Sequence, residues 1–273
     1  MRKNKSLLLS TPYIVWMVVF TLIPLGVVGY YALTDPDAGA FTLNNLQDLG
    51  MYLPVLGSSV GYALISALIC LLLGYPVAYY IAHRTPVAQK ILYMLVMLPM
   101  CMSFLLRTLA WVGILETTGI INTLLGKVGI GPLNMIGTPG AVILGMVYNY
   151  LPYMILPLYA IIVKIDSRLI EAAEDLGCNS VQVFSKVILP LSMPGILSGI
   201  TMVFVPAVST FYISQKLGGT ETMLIGDVIE RQFKSAQNPN LGAALSLVLM
   251  VLVLVCTGIM NRFGSDEEGG VVV

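Results

Sequence analysis

The sequence predicts an all-α integral membrane protein with six transmembrane helices, on three observations. Hydrophobic residues make up 57% of the 273 positions and charged residues only 10%, with a mean hydropathy of +0.88, whereas a soluble domain is roughly half apolar and a quarter charged. Six apolar runs, near Tyr13 to Leu33, Val55 to Ala82, Ile91 to Ile114, Ala141 to Ile162, Pro194 to Ile213 and Leu241 to Met260, reach the length of about 18 residues that a bilayer-crossing helix needs. The fourteen basic residues are divided unequally between alternate connecting segments, as expected when Lys and Arg are retained on the cytoplasmic side.

The first run exceeds the roughly 7 to 15 apolar residues of a signal peptide and no small-x-small cleavage site follows it, so it is expected to remain as a span. The segment after it holds Asp35, Asp37 and Asp48 and no basic residue, which suits an outer loop. The second run contains Pro76 and the Gly57-x-x-x-Gly61 spacing, a pattern that permits close helix contact but is common by chance in apolar sequence. His83, the only histidine, adjoins Arg84 in a short cytoplasmic loop, where a solvated side chain is expected. The third run includes Pro99 and ends near Arg107, Trp111 and Glu116. Arg107 is expected to serve architecture at the end of its span, snorkelling to the interface or holding a binding protein, with Glu116 paired to it or facing outer water.

Glu116 to Thr138, interrupted by Gly126, Gly129, Gly131 and Pro132, reads as a surface or re-entrant segment on the outer side. Pro152 and Pro157 in the fourth run are expected to bend it. Ser214 to Asn240 reads as a polar outer loop with a short helix, and Gly264 to Val273 as a loose tail. With the N-terminus inside, nine basic residues (Arg2, Lys3, Lys5, Arg84, Lys90, Lys164, Arg168, Lys186 and Arg262) fall on the cytoplasmic side against five outside (Arg107, Lys127, Lys216, Arg231 and Lys234). Both termini are therefore expected in the cytoplasm.

A formal net charge of +0, with no basic stripe, argues against a nucleic-acid partner. Cys70, Cys101 and Cys256 fall in apolar runs and Cys178 in a polar loop, without metal spacing, so neither a disulfide nor a metal site is expected. There is no G-x-x-x-x-G-K-[ST] phosphate loop, and the chain is not expected to hydrolyse ATP itself.

The loop over residues 163 to 193 carries the strongest signal. Asp166 or Ser167 can cap a first short helix on which Leu169, Ile170 and Ala173 share a face. Gly177 suits a left-handed helix end. Asn179 with Gln182 resembles a capping box, Val181, Phe184 and Ile188 give a second helix its apolar side, and Pro190 ends it. Glu171-Ala172-Ala173, then Gly177, then Val187-Ile188-Leu189-Pro190 resembles the EAA motif of ABC importer permeases, with Val187 where that family usually has isoleucine. Further stretches, Phe104 to Trp111, Gly119 to Asn122, Tyr150 to Tyr159 and Leu217 to Gly219, resemble the first permease component of spermidine/putrescine importers.

That resemblance implies a type I ABC importer (MetI-like) fold forming a single transmembrane domain over 1–273, in the cytoplasmic (inner) membrane of a bacterium. It implies a homologous second permease subunit, two ATPase subunits and an extracytoplasmic substrate-binding protein as partners. The chain would bind no cofactor directly, ATP and Mg being used by the ATPase. Glu171, Ala172, Ala173, Asp175, Leu176, Gly177, Leu189 and Pro190 would couple the chain to that ATPase, the small alanines allowing close approach.

A polyamine is a flexible cation with apolar methylenes, so its route should offer aromatic faces, carbonyls and sparse acids. Trp111, Glu116, Tyr148, Asn149, Tyr150 and Tyr153 are the candidates, although Tyr and Trp also mark membrane interfaces. Other solutes of the same machinery, thiamine, an aminophosphonate or chelated iron, remain alternatives. A secondary transporter usually places ionisable groups at mid-membrane, and none is expected there. A membrane-embedded enzyme lacks a visible nucleophile and base.

Overall fold

The computed structural model describes residues 12–13, 15–35, 40–43, 45, 48–219, 222–236 and 238–268. Arg2, Lys3, Lys5, Asp37 and the last five residues of the expected tail lie outside them. Among the described residues the structure is helical, its β content limited to an isolated Thr34–Phe41 bridge. The helices are α1 (Ile23–Ala32), preceded by a π-helical turn Val18–Leu22, α2 (Leu53–Ala82), α3 (Pro86–Met97), α4 (Phe104–Leu115), α5 (Ile120–Lys127), α6 (Pro139–Ile162), α7 (Ser167–Asp175), α8 (Ser180–Val183), α9 (Leu189–Leu191), α10 (Met193–Val208), α11 (Ile225–Lys234) and α12 (Pro239–Glu268). A π-helical stretch Phe184–Ile188 joins α8 to α9, and another, Ser214–Gly218, precedes α11.

Five helical stretches are long and apolar enough to cross a membrane: Val15–Ala32, Leu49–Ala82, Phe104–Lys127, Pro139–Ile162 and Pro239–Met260; a sixth arises if the bent pair Ser180–Leu191 and Met193–Val208 is one span. The run at Ile91 to Ile114 is divided: α3 passes into a 3-10 turn at Leu98–Cys101 that contains Pro99, and α4 starts afresh at Phe104. Proline supplies no N–H to continue the ladder, which accounts for the break. At the other end of the chain α12 continues to Glu268, beyond the expected helix limit, because extending an established helix costs far less than starting one.

The chain forms two compact units, residues 1–54 with 228–252, and residues 55–227 with 253–273. In the first, Val28 and Ala32 of α1 pack with Leu49 and with Ala243, Ala244 and Leu247 of α12. Asn45 and Asn240 both donate to the Thr34 carbonyl, at 2.9 and 2.6 Å. These bonds close the start of the loop that follows α1.

The second unit is built around α6. Along α2 the buried residues Ser59, Ala63, Ala67, Cys70, Gly74 and Ala78 recur three or four positions apart, with Ser66 beside Ala67, a stripe of small side chains that lets another helix approach closely. Met146, Val147 and Met154 of α6 lie against it: the Ser66 hydroxyl is 3.4 Å from the Met146 sulfur, and a Cβ on Gly74 would sit 3.1 Å from the Met154 side chain. On another side α10 presents Gly195 and Gly199 to Pro157, Ile161 and Met154. Val142, Met154, Leu158, Val203, Phe204 and Ala207 fill the space between, all buried.

The stretch Ser214 to Asn240, expected to be a polar outer loop, is partly core. Leu217, Leu224 and Ile225 are fully buried, the Leu217 carbonyl accepts from Gly137 N–H at 2.8 Å, and the Ser59 hydroxyl accepts from Ile225 N–H at 2.8 Å. Isolated apolar residues within a polar composition decide its path.

Candidate functional site

The arm between α6 and α10 is held by local hydrogen bonds that its sequence dictates. The Asp166 carboxylate caps α7 by accepting from Arg168 N–H at 3.0 Å. At the other end Gly177 N–H donates to Glu174 O at 2.8 Å and Cys178 N–H to Ala173 O at 3.0 Å, the paired closure of a Schellman motif. Gly177 has φ 84°, a left-handed conformation that side chains resist. Asn179 and Gln182 then form a reciprocal capping box at 2.9 Å each way and start α8.

Within this arm Ala173 is buried with Val183 and Ile188, and Tyr79, Ile165, Ile170, Cys178 and Val187 pack around them. Ala173 therefore joins the two short helices to each other, and close approach to a partner falls to its neighbours. Glu171, Ala172, Asp175, Leu176, Gly177 and Pro190 are exposed and Leu189 is half-buried. Two apolar side chains missing from a solvated helix pattern stand at the outer edge: Leu176 is 87% exposed and Val181 74%. An apolar tip rimmed by Glu171, Glu174 and Asp175 has the composition of a docking surface.

The arm is fastened to α2. The Phe184 ring meets Tyr75 and Tyr79 edge-on at centroid distances of 5.4 and 6.3 Å, and the Tyr75 hydroxyl is 2.7 Å from the Ser192 hydroxyl. Past Ser192 the chain bends by 64° into α10. Sequence reasoning placed Phe184 on an apolar face but had no signal for Tyr75 or Ser192, which lie 117 residues apart.

The six residues expected along a solute route divide. Trp111 of α4 and Tyr148 of α6 form an edge-to-face pair at 5.4 Å and are at least partly exposed. Tyr153 is half-buried. Glu116 is exposed. Asn149 and Tyr150 are buried, Asn149 donating to the Gly145 carbonyl at 2.9 Å and Tyr150 to the Pro206 carbonyl at 3.3 Å. The Tyr150 bond joins α6 to α10, whereas the Asn149 bond stays within α6. Pro152 and Pro157 have no N–H to offer the carbonyls of Tyr148 and Tyr153 four residues earlier, so those two carbonyls lack their usual helical donor.

Arg107 is withdrawn from the surface of this chain. It is buried, 6% exposed, with Nε and Nη1 lacking hydrogen-bond partners. Among the described residues no ion pair joins it to Glu116. It stands in the first turn of α4, near one end of the Phe104–Lys127 stretch.

Asn122, within the Gly119 to Asn122 stretch, organises the segment after α5. Its amide donates to the carbonyls of Glu116 and Leu133 at 3.0 Å and accepts from Leu133 N–H at 2.7 Å.

Apolar helices of membrane length, a bent helix pair and a capped pair of short helices with exposed apolar side chains are the features of a multi-pass membrane permease. Residues 71–265 match the family of binding-protein-dependent transport system inner membrane components, and the chain belongs to that family. It is 40% identical over 256 residues to the spermidine/putrescine transport system permease protein PotB of Haemophilus influenzae, covering 90% of each chain. It is 39% identical over 247 residues to the protein of the same name from Escherichia coli, covering 87% of this chain and 90% of that one. Among solved structures, a bacterial ABC transporter that imports alginate matches with a TM-score of 0.81 at 18% identity, over 97% of this chain and 96% of the other. The MetNI methionine ABC transporter matches at a TM-score of 0.60 and 17% identity, over 80% and 96%. The all-α, MetI-like importer fold is thus established, as is a multi-pass inner-membrane permease.

Proposed function

We propose that this chain is the permease subunit of a polyamine importer and receives the force of ATP hydrolysis through residues 167–191. The observation that carries this reading is the arm itself: a helix closed by Gly177 in the left-handed region, presenting exposed Leu176 and Val181 beside acidic Glu171, Glu174 and Asp175. The EAA pattern falls on that arm, and relatives at 39–40% identity carry spermidine and putrescine in their names. Two ATPase subunits would bind ATP and Mg, a second permease subunit would complete the pathway, and a binding protein would deliver solute from outside. Both termini and the arm would face the cytoplasm.

Closure of the ATPase pair would draw the arm with it and switch the pathway between inward- and outward-facing states as a rigid-body movement. Glu171, Ala172, Asp175, Leu176 and Gly177 would meet the ATPase, Ala173 would hold the arm together, and Leu189 and Pro190 would carry motion into α10. Trp111 and Tyr148, with the Tyr148 and Tyr153 carbonyls, would offer a polyamine aromatic faces and acceptors.

The deciding experiment places a photocrosslinker at Leu176 in the assembled importer and measures ATP-driven uptake of radiolabelled spermidine and putrescine in proteoliposomes. The reading expects capture of the ATPase and uptake that requires a loaded binding protein. Capture with no polyamine uptake would keep the permease role and reject the solute. Absence of capture, or labelling of Leu176 from outside, would reject the coupling role.

A further inference from the structure

The arm meets α10 at a corner whose central residue is Ser192. Ser192 has φ −91° and ψ −1°, in the sparsely populated region between helix and strand where the chain turns readily. Its N–H is shared between the carbonyls of Ile188 at 2.9 Å and Leu189 at 3.2 Å, and its hydroxyl donates to Leu189 O at 2.9 Å. A serine hydroxyl has one proton. With that proton on Leu189, the Tyr75 phenol 2.7 Å away must donate to the Ser192 oxygen.

Both side chains are out of solvent, Ser192 wholly and Tyr75 at 7% exposed, so water does not stand ready to replace the bond. Phe184 touches Tyr75 and Tyr79 at the other end of the same segment. Between these two attachments the chain is π-helical, Phe184–Ile188, a wound-out turn with poorer packing than an α-helix and a common site of functional bending. A compliant segment is thus pinned to α2 at both ends.

We propose that the Tyr75 hydroxyl, through its bond to Ser192, is a positioning group that fixes the angle between the arm and α10. A displacement of the arm then turns α10 together with α2. Without the bond, the corner flexes and absorbs part of the stroke. This rests on the reading of residues 167–191 as the ATPase-docking arm.

The test uses the complete importer, with sister permease, ATPase pair and binding protein, in proteoliposomes. Tyr75→Phe keeps the ring against Phe184 and removes only the hydroxyl; Ser192→Ala removes its acceptor. Each should deliver about three- to tenfold less spermidine per ATP hydrolysed, with hydrolysis in the absence of binding protein changed less than about twofold. The double variant should be no worse than Ser192→Ala, which already removes the shared bond together with the Ser192–Leu189 bond. An unchanged ratio in Tyr75→Phe, or additive losses in the double variant, overturns the proposal. So does failure of both singles to accumulate in the membrane, which would assign the bond to folding. Gly177→Leu separates the levels: if it uncouples while Tyr75→Phe does not, only the corner lock fails, and if it too is neutral the docking reading fails.

Discussion

A Cβ placed on Gly195 would stand 3.1 Å from the carbonyl oxygen of Pro157 and 3.1 Å from the Ile161 side chain. The axes of α10 and α6 therefore approach backbone to backbone at the end of α6 that leads into the arm. One turn on, a Cβ at Gly199 would lie 2.6 Å from the Met154 sulfur. Between lipid-solvated helices, where burial from water supplies little drive, such approach lets dispersion and weak polar contacts hold the pair. Movement of α10 is accordingly passed to α6 by contact.

Gly195→Val should therefore disrupt the pair, since backbone cannot step aside as a flexible side chain can. Overpacking of this kind costs about 1–3 kcal/mol. Membrane abundance and thermal unfolding of the detergent-purified chain should both fall. Gly61→Ala, whose Cβ would meet nothing within 4 Å, should stay within about 0.5 kcal/mol of the parent.

At Gly177 the obstacle is conformational. Its φ is 84° and a Cβ there would meet nothing within 4 Å, so a side chain is refused by its own backbone alone. Left-handed geometry costs an ordinary residue about 1–2 kcal/mol, whereas Asn tolerates it. Gly177→Asn should retain most ATP-driven uptake and Gly177→Leu should lose it, with equal amounts of both in the membrane. Equal uptake by the two variants would detach the left-handed turn from coupling.

The arm was readable because its information is local: Asp166, Gly177, Asn179 and Gln182 act on groups within five residues. The spans were readable from apolar length, as α1, α2, α6 and α12 show. Distant relations were not. Gly57 and Gly61 carry a contact spacing and touch nothing, while Gly195 and Gly199 carry the same spacing and pack, because the pattern does not say which helix lies opposite. Arg107 is buried, which the length of an apolar run does not reveal. Leu217, Leu224 and Ile225 were hidden in a polar average, although each is a core residue.

The Trp111–Tyr148 pair gives the solute route a separate check. Replacing Trp111 by Ala removes one face of the pair, and a cation over an aromatic ring is worth about 0.5–2 kcal/mol. Spermidine uptake should show a KM raised several-fold, with solute delivered per ATP unchanged. Tyr150→Phe removes instead the bond to the Pro206 carbonyl and should lower stability with KM preserved. A KM effect at Tyr150 and none at Trp111 would place the route on the other side of α6.

Asn122 closes the segment after α5 with its whole amide group. One side chain bonds to the Glu116 carbonyl and both backbone groups of Leu133 and is 5% exposed; the two carbonyls also accept from Gly119 and Met135 N–H, so its replacement leaves Leu133 N–H as the group without a partner. Asn122→Ala should cost about 1–3 kcal/mol locally, because only the fold of residues 128–138 depends on these bonds. Hydrogen exchange at the Leu133 amide should quicken by about tenfold or more, one factor of ten corresponding to about 1.4 kcal/mol. Exchange along α6 should be unchanged. Asn122→Asp keeps an acceptor for Leu133 N–H while losing both donated bonds, and should retain more of the Leu133 protection than Ala. Protection of Leu133 retained in the Ala variant would show that the segment is held by its apolar residues instead.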